Sequence, residues 1–203
     1  MFDAAHIYGL DIETDTSGGY GLDPNRGGIT SVAIATAERD IVIALGDGTE
    51  DELLVALGYE LDQLPDGLLG TWNGAVFDFP FIDCRLNRLG FGDASWGPVL
   101  TFQPGLKPKY EPTPGYEGGY AVNWVTSSGG GHTHLDISWA YKRHAERVGI
   151  KHSLKPVAKS LGIDMVEVDR ENIHLLTEAE ERAYVASDAR GTRELVLRRL
   201  GLA

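Results

Sequence analysis

The order of the predicted elements indicates an α/β or α+β fold, in which helices pack against a β-sheet. Two observations support this fold class. Apolar, β-branched stretches come first along the chain, and segments with helical periodicity follow, with one short apolar stretch among them. The length of 203 residues and the hydrophobic fraction of 42% suit one globular domain, residues 1–203, with a substantial core.

Four strands are predicted in the N-terminal part of the chain. Residues 6–12 form an apolar stretch, and residues 29–37 and 40–46 are two β-branched stretches whose short polar break predicts a hairpin. A loop rich in glycine and turn-forming residues joins the first strand to the second. Residues 67–73 predict a further short strand after the first helix.

Helix signals follow the hairpin and dominate the C-terminal part of the chain. Capping boxes predict the starts of the first and last helices, through Thr49 with Glu52 and Thr177 with Glu180. Residues 77–90 predict a second helix, because Pro80 lies near its start and Gly90 follows its end. The chain is predicted to be helical from Leu135 onward, over residues 136–149, 153–162 and 177–200.

Residues 92–132 differ in composition from the rest of the chain. They are rich in Gly, Pro and Tyr and have no helical period. We expect an irregular insertion, of which a long hairpin with mobile tips is one form.

Three features indicate the compartment. Cys84 is the only cysteine, so no internal disulfide can form. No apolar run approaches the ~18 residues of a membrane helix, and the N-terminus has no secretory signal. The sequence therefore predicts a cytoplasmic protein without membrane contact.

The first strand ends in two carboxylates. Asp11 and Glu13 point to one face of the strand, and Ile12 between them points to the other. Two like charges this close repel each other, and partial burial strengthens the repulsion. A divalent cation is the candidate that would resolve the conflict.

Two further acids lie in contexts that favour a role in the same site. Asp188 lies one turn from Tyr184 on the last helix, on a stripe where an unpaired charge would be costly. Asp78 stands where a strand gives way to a helix. Asp is a preferred N-cap residue, so capping is the alternative interpretation of Asp78.

Three stretches together resemble the DnaQ-like (DEDD) 3′–5′ exonucleases of the RNase H-like superfamily. "LDIET", "NGAVFDFPF" and "YVASD" match their first, second and third motifs in the expected order, and "HLDIS" and "SLKPVAKSLG" resemble the segment before their last helix. The chain is similar in this respect to the proofreading domains of family-B DNA polymerases. Ala183 stands where the histidine branch has His, so the tyrosine branch (DEDDy) is indicated. The resemblance spans residues 9–197.

This resemblance implies an RNase H-like mixed sheet flanked by helices and a two-metal-ion phosphodiester hydrolase. Two Mg²⁺ or Mn²⁺ ions would be held by Asp11, Glu13, Asp78 and Asp188, with Asp11 shared between them. Tyr184 would orient the attacking water, and Asn73 and Phe77 would contact the substrate. The implied substrate is nucleic acid with single-stranded 3′ ends, and the implied partner is a DNA polymerase or another replication or repair protein.

A basic run lies within an otherwise acidic chain, whose formal net charge is -12. Residues 142–159 carry six lysines and arginines against one glutamate. Two interpretations are open: a solvated helix face, or a phosphate-contacting surface. The second assigns substrate binding to Arg143, Arg147, Lys151 and Lys155, which recur at a spacing of four, with a break in the helix expected at Gly149.

Other candidates and functions are weaker. His132 and His134 have strand spacing for a metal but lack further His or Cys ligands, so a zinc site is disfavoured. Asp15, Asp83 and Asp136 are interpreted as turn, surface or supporting acids, and Trp72 as core. The alternatives to an exonuclease are a catalytically inactive nucleic-acid-binding module, an RNase H-like endonuclease and a cation-stabilised structural domain. The sequence does not indicate DNA or RNA preference, pathway or oligomeric state.

Overall fold

The computed structural model describes residues 3–91, 101–102, 121–125, 131–169 and 175–203. The strands in these residues are β1 Ile7–Thr14, β2 Ile29–Ala35, β3 Asp40–Ala44, β4 Leu68–Thr71, β5 Thr101–Phe102, β6 Ala121–Val125 and β7 Gly131–Asp136. The α-helices are α1 Glu50–Gln63, α2 Asp78–Arg88, α3 Lys142–Val148, α4 Leu154–Ser160 and α5 Glu178–Leu200. The strands form one sheet in the order β3-β2-β1-β4-β7-β6-β5.

The sheet is mixed. Strand β4 runs parallel to β1 on one side and to β7 on the other, and the remaining neighbours are antiparallel. The sequence prediction of an α/β fold, with a mixed sheet flanked by helices, is therefore confirmed. The carboxyl ends of β1, β4 and β7 meet at one edge of the sheet, where ligand sites form in folds of this kind.

Alternation along β1 separates two packed layers. Tyr8, Leu10 and Ile12 pack against the buried leucines and phenylalanines of α1 and α2. The opposite face of the sheet packs against α3, α4 and α5, with Ile7 of β1 in the same core cluster as Leu195 of α5. Because side chains alternate along a strand, Asp11 and Glu13 share the face that carries α5.

Helix α5 lies unusually close to β1 at Gly9. A Cβ atom on Gly9 would lie 2.1 Å from the carbonyl oxygen of Ala189 and 2.8 Å from the amide nitrogen of Arg193. The Arg193 guanidinium fixes the same contact, since it donates to the carbonyl oxygens of Ile7 at 2.7 Å and Ala4 at 3.0 Å. The missing side chain at Gly9 thus lets helix and strand backbones approach.

Most predicted element signals are confirmed. Both capping boxes form, at the starts of α1 and α5. Gly90 adopts a φ of 87° directly after α2, the left-handed conformation expected at a helix C-terminus. Gly149, with a φ of 70°, ends α3 in the same way. Among the described helices, none is long and apolar enough to cross a membrane.

One prediction is wrong: the chain does not become helical at Leu135. Leu135 and Asp136 belong to β7, and a short 3-10 helix, Ser138–Tyr141, precedes α3. The strand was missed because its buried residues include His132, His134 and Asp136. Polar residues buried on a strand give no hydrophobic alternation in the sequence.

Most of the predicted insertion, residues 92–132, lies outside the described residues. Within it, residues 101–102 and 121–125 form β5 and β6, which pair antiparallel at the edge of the sheet beside β7. The prediction that 1–203 is one domain with this insertion remains a prediction.

Gly9→Ala should destabilise the protein strongly. The new methyl group would overlap the Ala189 carbonyl oxygen, so α5 would have to move from β1. We expect the free energy of unfolding to fall by more than about 3 kcal/mol in urea denaturation. Gly149→Ala is the matched control, because it meets no neighbouring atom and should cost only about 1–2 kcal/mol for its left-handed backbone. Equal costs for the two variants would contradict the close contact at Gly9.

Candidate metal centre and active site

Three acidic side chains meet at the carboxyl end of β1. Asp11 and Glu13 from β1 and Asp188 from α5 each offer one carboxylate oxygen, and these oxygens lie within 4.8 Å of one another. Asp188 is buried, and the other two side chains are partly buried. This group can hold a metal ion, because its carboxylate oxygens suit hard divalent cations.

Burial and mutual repulsion raise the pKa of two of these acids, Asp11 and Glu13. Burial raises the pKa of Asp11 well above its ordinary value, and the nearby Asp188, Asp78 and Glu13 raise it further. Burial, followed by the charge of Asp188, raises the pKa of Glu13 to about 8. The site therefore favours any cation that can compensate its negative charge.

Asp78 lies at the edge of this group. It is the first residue of α2 and is only 4% exposed. Burial raises its pKa to about 7, an effect that its own backbone amide opposes and Asp136 reinforces. The N-cap of α2 is Phe77, so the alternative of Asp78 as N-cap is wrong. Asp78 raises the pKa of Asp11, which places its charge near the three-acid group.

Lys155 supplies a buried positive charge beside the acids. Its ammonium lies 3.3 Å from Asp188 Oδ1, donates to the Val166 carbonyl oxygen at 2.7 Å and sits 3.7 Å from the centre of the Tyr184 ring. The charge of Lys155 lowers the pKa of both Asp11 and Glu13, against the dominant effect of burial. Lys155 thus compensates part of the charge of the acidic group.

The predicted surface row of basic residues needs correction at Lys155. Lys155 is 5% exposed, whereas Arg143, Arg147 and Lys151 are exposed. Gly149 ends α3, as the sequence predicts, and Lys155 lies on the separate helix α4. A helical face does not continue across such a break.

Asp136, at the end of β7, organises the neighbouring loop. It is fully buried, and its carboxylate accepts hydrogen bonds from the backbone amides of Asn73 at 3.0 Å, Ala75 at 3.2 Å and Ser138 at 3.1 Å. The Ser138 hydroxyl also donates to it, at 2.7 Å. Asn73 adopts a φ of 67°, a conformation that Asn tolerates better than most residues. Asp136 therefore fixes the loop between β4 and Asp78.

Two buried histidines support the same region from within the core. His132 Nε2 donates to the Leu61 carbonyl oxygen at 2.8 Å. His134 Nε2 is 2.7 Å from the Thr71 hydroxyl, which also accepts from the Gly74 amide at 3.1 Å. Burial lowers the pKa of His134 to about 3, so its ring is neutral. Both side chains therefore have structural contacts.

The acidic group opens into a cavity of about 660 Å³. Asn73, Phe77 and Tyr184, three further residues singled out from the sequence, line it together with the four acids. The cavity is also lined by side chains that sequence reasoning did not assign to the site: Trp72, Ser138, Trp139, Lys142 and His152. Arg143, Arg147 and Lys151 are not among its lining residues.

The metal-free protein should lose stability as pH rises, through Glu13. Its pKa is about 8 in the folded protein against an ordinary 4.5, so between these values the folded state binds more protons than the unfolded state. This contribution to stability is complete below pH 4.5 and is lost as pH rises through 8. In EDTA, Glu13→Gln should therefore gain Tm relative to the wild type as pH rises from 5 to 8.

The exposed Glu38→Gln is the control for this measurement, because it removes one carboxylate away from the acidic group. Mn²⁺ at pH 8 should reverse the order, because only the wild type retains the Glu13 carboxylate. A Glu13→Gln difference that is the same at both pH values would rule out protonation of the buried acid.

Asp136→Asn should destabilise the loop between β4 and α2. Asn keeps one acceptor oxygen and replaces the other with an NH₂ group, so at least one of the backbone amides that Asp136 binds loses its acceptor and faces a second donor. We expect a loss of roughly 2–4 kcal/mol in the free energy of unfolding. Asp83→Asn, on the exposed side of α2, should change it by less than about 0.5 kcal/mol. A loss as small as that of the control would show that these hydrogen bonds do not hold the loop.

Comparison with known proteins gives a likeness in fold. No family model matches the chain, and no curated protein matches it. Among solved structures, the family B DNA polymerase from the hyperthermophilic archaeon Pyrobaculum calidifontis is similar, with a TM-score of 0.63 and 19% sequence identity over 95% of this chain. The match covers 24% of the polymerase chain, so this chain spans about a quarter of that protein's length.

Proposed function

We propose that this protein is a metal-dependent 3′–5′ exonuclease that hydrolyses phosphodiester bonds of DNA or RNA. The observation that carries the proposal is the convergence of Asp11, Glu13 and Asp188 in a cavity that Asp78 and Tyr184 also line. These are the residues at which the chain resembles the DEDDy exonucleases. The likeness in fold to part of a family B DNA polymerase is compatible with this activity.

The donor set fits Mg²⁺ or Mn²⁺. It consists of carboxylate oxygens without thiolate or imidazole, the ligand chemistry that these hard cations prefer. Asp11, Glu13 and Asp188 would hold one ion, and Asp11 and Asp78 would hold a second. When bound, such ions would supply Lewis-acid stabilisation of the attacking and leaving oxygens.

The protein's own residues position the reactants. Tyr184 lines the cavity with Asp188, and its phenol would orient the attacking water by a hydrogen bond. An ordinary Tyr hydroxyl titrates near 10, so orientation suits it better than proton abstraction at neutral pH. Asn73 and Phe77 would hold the terminal nucleotide.

The reaction balances as a hydrolysis. The oxygen of water bonds to phosphorus, the bond from phosphorus to the 3′ oxygen of the preceding nucleotide breaks, and that oxygen takes up a proton. A 5′-mononucleotide leaves, and the strand keeps a free 3′ hydroxyl for the next cycle.

A nuclease assay tests the proposal. With Mg²⁺ or Mn²⁺, 5′-labelled single-stranded DNA or RNA should shorten stepwise from its 3′ end, and EDTA should stop the reaction. Asp188→Asn should lower kcat/KM more than about a hundredfold. Mutation of a residue that only supports a metal ligand typically lowers activity by about 10- to 100-fold, and removal of the ligand itself should lower it further. Glu146→Gln, an exposed change on α3, should leave the rate unchanged.

The outcomes separate the alternatives. Equally fast cleavage of circular and linear single strands would contradict the 3′–5′ assignment and indicate an endonuclease. Metal-dependent binding of the strand without cleavage would indicate an inactive binding module. A metal-stabilised protein that neither binds nor cuts would indicate a structural cation site.

The exposed basic residues of α3 and the following turn are proposed to contact phosphates. Replacing Arg143, Arg147 and Lys151 with Gln should raise KM and lower the log–log salt slope by roughly 0.7 per lost contact on a single strand. The kcat should change little, because such contacts hold ground and transition states about equally. Arg39→Gln, far along the chain in the β2–β3 hairpin, is the control. An unaltered salt slope in the triple variant would assign these residues to a solvated helix face.

A further inference from the structure

The cavity is lined by two groups of residues of different chemistry. One is the four carboxylates, and the other, here called the aromatic wall, is Trp72, Trp139 and His152; Lys142 also lines the cavity. Trp72 follows directly after β4, and Trp139 lies in the 3-10 helix after β7. Because β4 and β7 are parallel neighbours, their carboxyl ends bring both indoles to the edge of the sheet that carries the acids.

The aromatic wall is held in place by hydrogen bonds and ring contacts. The Trp72 and His152 rings have their centres 5.4 Å apart. His152 Nε2 donates to the Ser138 carbonyl oxygen at 2.8 Å, and Ser138 is bound in turn by the buried Asp136. A surface that is already ordered loses little conformational entropy when it binds a ligand.

The partial exposure of this wall is not explained by core packing alone. Trp139 packs against the core cluster that contains α1 and α2, and Trp72 packs against the cluster that contains α3, α4 and α5. Both side chains nevertheless remain partly exposed and line the cavity that the four acids also line. Large apolar surface beside charged groups is typical of ligand sites, and the volume of about 660 Å³ lies within the usual range for them.

Charge selects the ligand chemistry. The protein carries a formal net charge of -12, so release of counterions by Lys and Arg can supply only part of its affinity for a polyanion. Stacking of bases on aromatic rings adds affinity without positive charge and depends little on sequence. The Lys142 ammonium lies 5.7 Å from the centre of the Trp139 ring, near enough to reach a phosphate attached to a stacked base.

We propose that Trp139 and Trp72 form a stacking platform for an unpaired nucleobase within the last few nucleotides of a single strand, and that Lys142 contacts its phosphate. The proposal rests on the function proposed above and names a substrate subsite for it. The platform requires single strands, because both faces of a base inside a duplex are covered by its neighbours.

Substrates with one abasic nucleotide test the platform. A series of oligonucleotides carries the abasic nucleotide at each of the last positions before the 3′ end, and kinetics are measured for the wild type, Trp139→Ala and Trp139→Phe. Trp139→Ala should raise KM by roughly 5- to 150-fold with little change in kcat. At one position of the abasic nucleotide, the KM of the wild type should rise by a similar factor, whereas the KM of Trp139→Ala should not rise further. Trp139→Phe should retain most of the affinity of the wild type.

Controls separate stacking from misfolding. Tyr59→Ala removes an exposed aromatic side chain of α1 outside the cavity and should leave every substrate unaffected. Lys142→Gln, on the exposed side of α3, tests the site without altering the core, and should lower the single-strand salt slope by roughly 0.7. The proposal would be overturned if, at every position, the abasic nucleotide raised KM equally for the wild type and for Trp139→Ala. An unchanged salt slope in Lys142→Gln would also overturn it.

A binding measurement distinguishes failure of the platform from failure of the proposed function. Oligonucleotide should quench tryptophan fluorescence of the wild type in the presence of Mg²⁺ more strongly than that of Trp139→Phe, whether or not the strand is cut. Quenching without cleavage would support the platform and contradict the exonuclease. Cleavage with the same quenching in both proteins would support the exonuclease and contradict the platform.

Discussion

The contact between α5 and β1 at Gly9 is the constraint on which the candidate site depends. With no side chain at Gly9, the backbone of α5 lies against the strand at Ala189, the residue next to Asp188. The same face of β1 carries Asp11 and Glu13 two and four residues further on. One close contact between backbones therefore brings together carboxylates that are far apart in the sequence. Arg193 fixes the helix along the strand by binding carbonyl oxygens at its start.

Bringing these acids together has an electrostatic cost. Burial and mutual repulsion raise the pKa of Asp11, Glu13 and Asp78, and the buried Lys155 compensates only part of their charge. The metal-free group can reduce its charge by holding protons, and a divalent cation offers a stronger compensation at neutral pH. The same electrostatic repulsion that would make this cluster unfavourable in an ordinary core makes it suited to bind a metal ion.

The loop before Asp78 and the segment that carries Trp139 depend on buried polar residues of β7. Asp136 binds the backbone of the loop that leads to Asp78. It also binds Ser138, the first residue of the 3-10 helix that carries Trp139 and leads into α3 at Lys142. His134 and Thr71 reinforce the same loop from the core side. Strand β1 and helix α5 position Asp11, Glu13 and Asp188, whereas Asp136 of β7 supports both the loop before Asp78 and the segment that carries Trp139. The parallel strands β1, β4 and β7 bring these residues to one edge of the sheet.

The sequence by itself determined the fold class, both capping boxes, most strands and helices, and the candidate acids, because these signals are local: a strand pattern, a helical spacing or a short motif. The tertiary structure alone decided that β7 is a strand, that Lys155 is buried and that Trp139 lines the cavity. The polar residues of β7 and the charged Lys155 would usually be assigned to a surface or a loop when their partners are unknown. The partners here are remote, since His132 bonds to a carbonyl 71 residues away and His134 to a hydroxyl 63 residues away. Burial of a polar side chain depends on such partners, which no local pattern records.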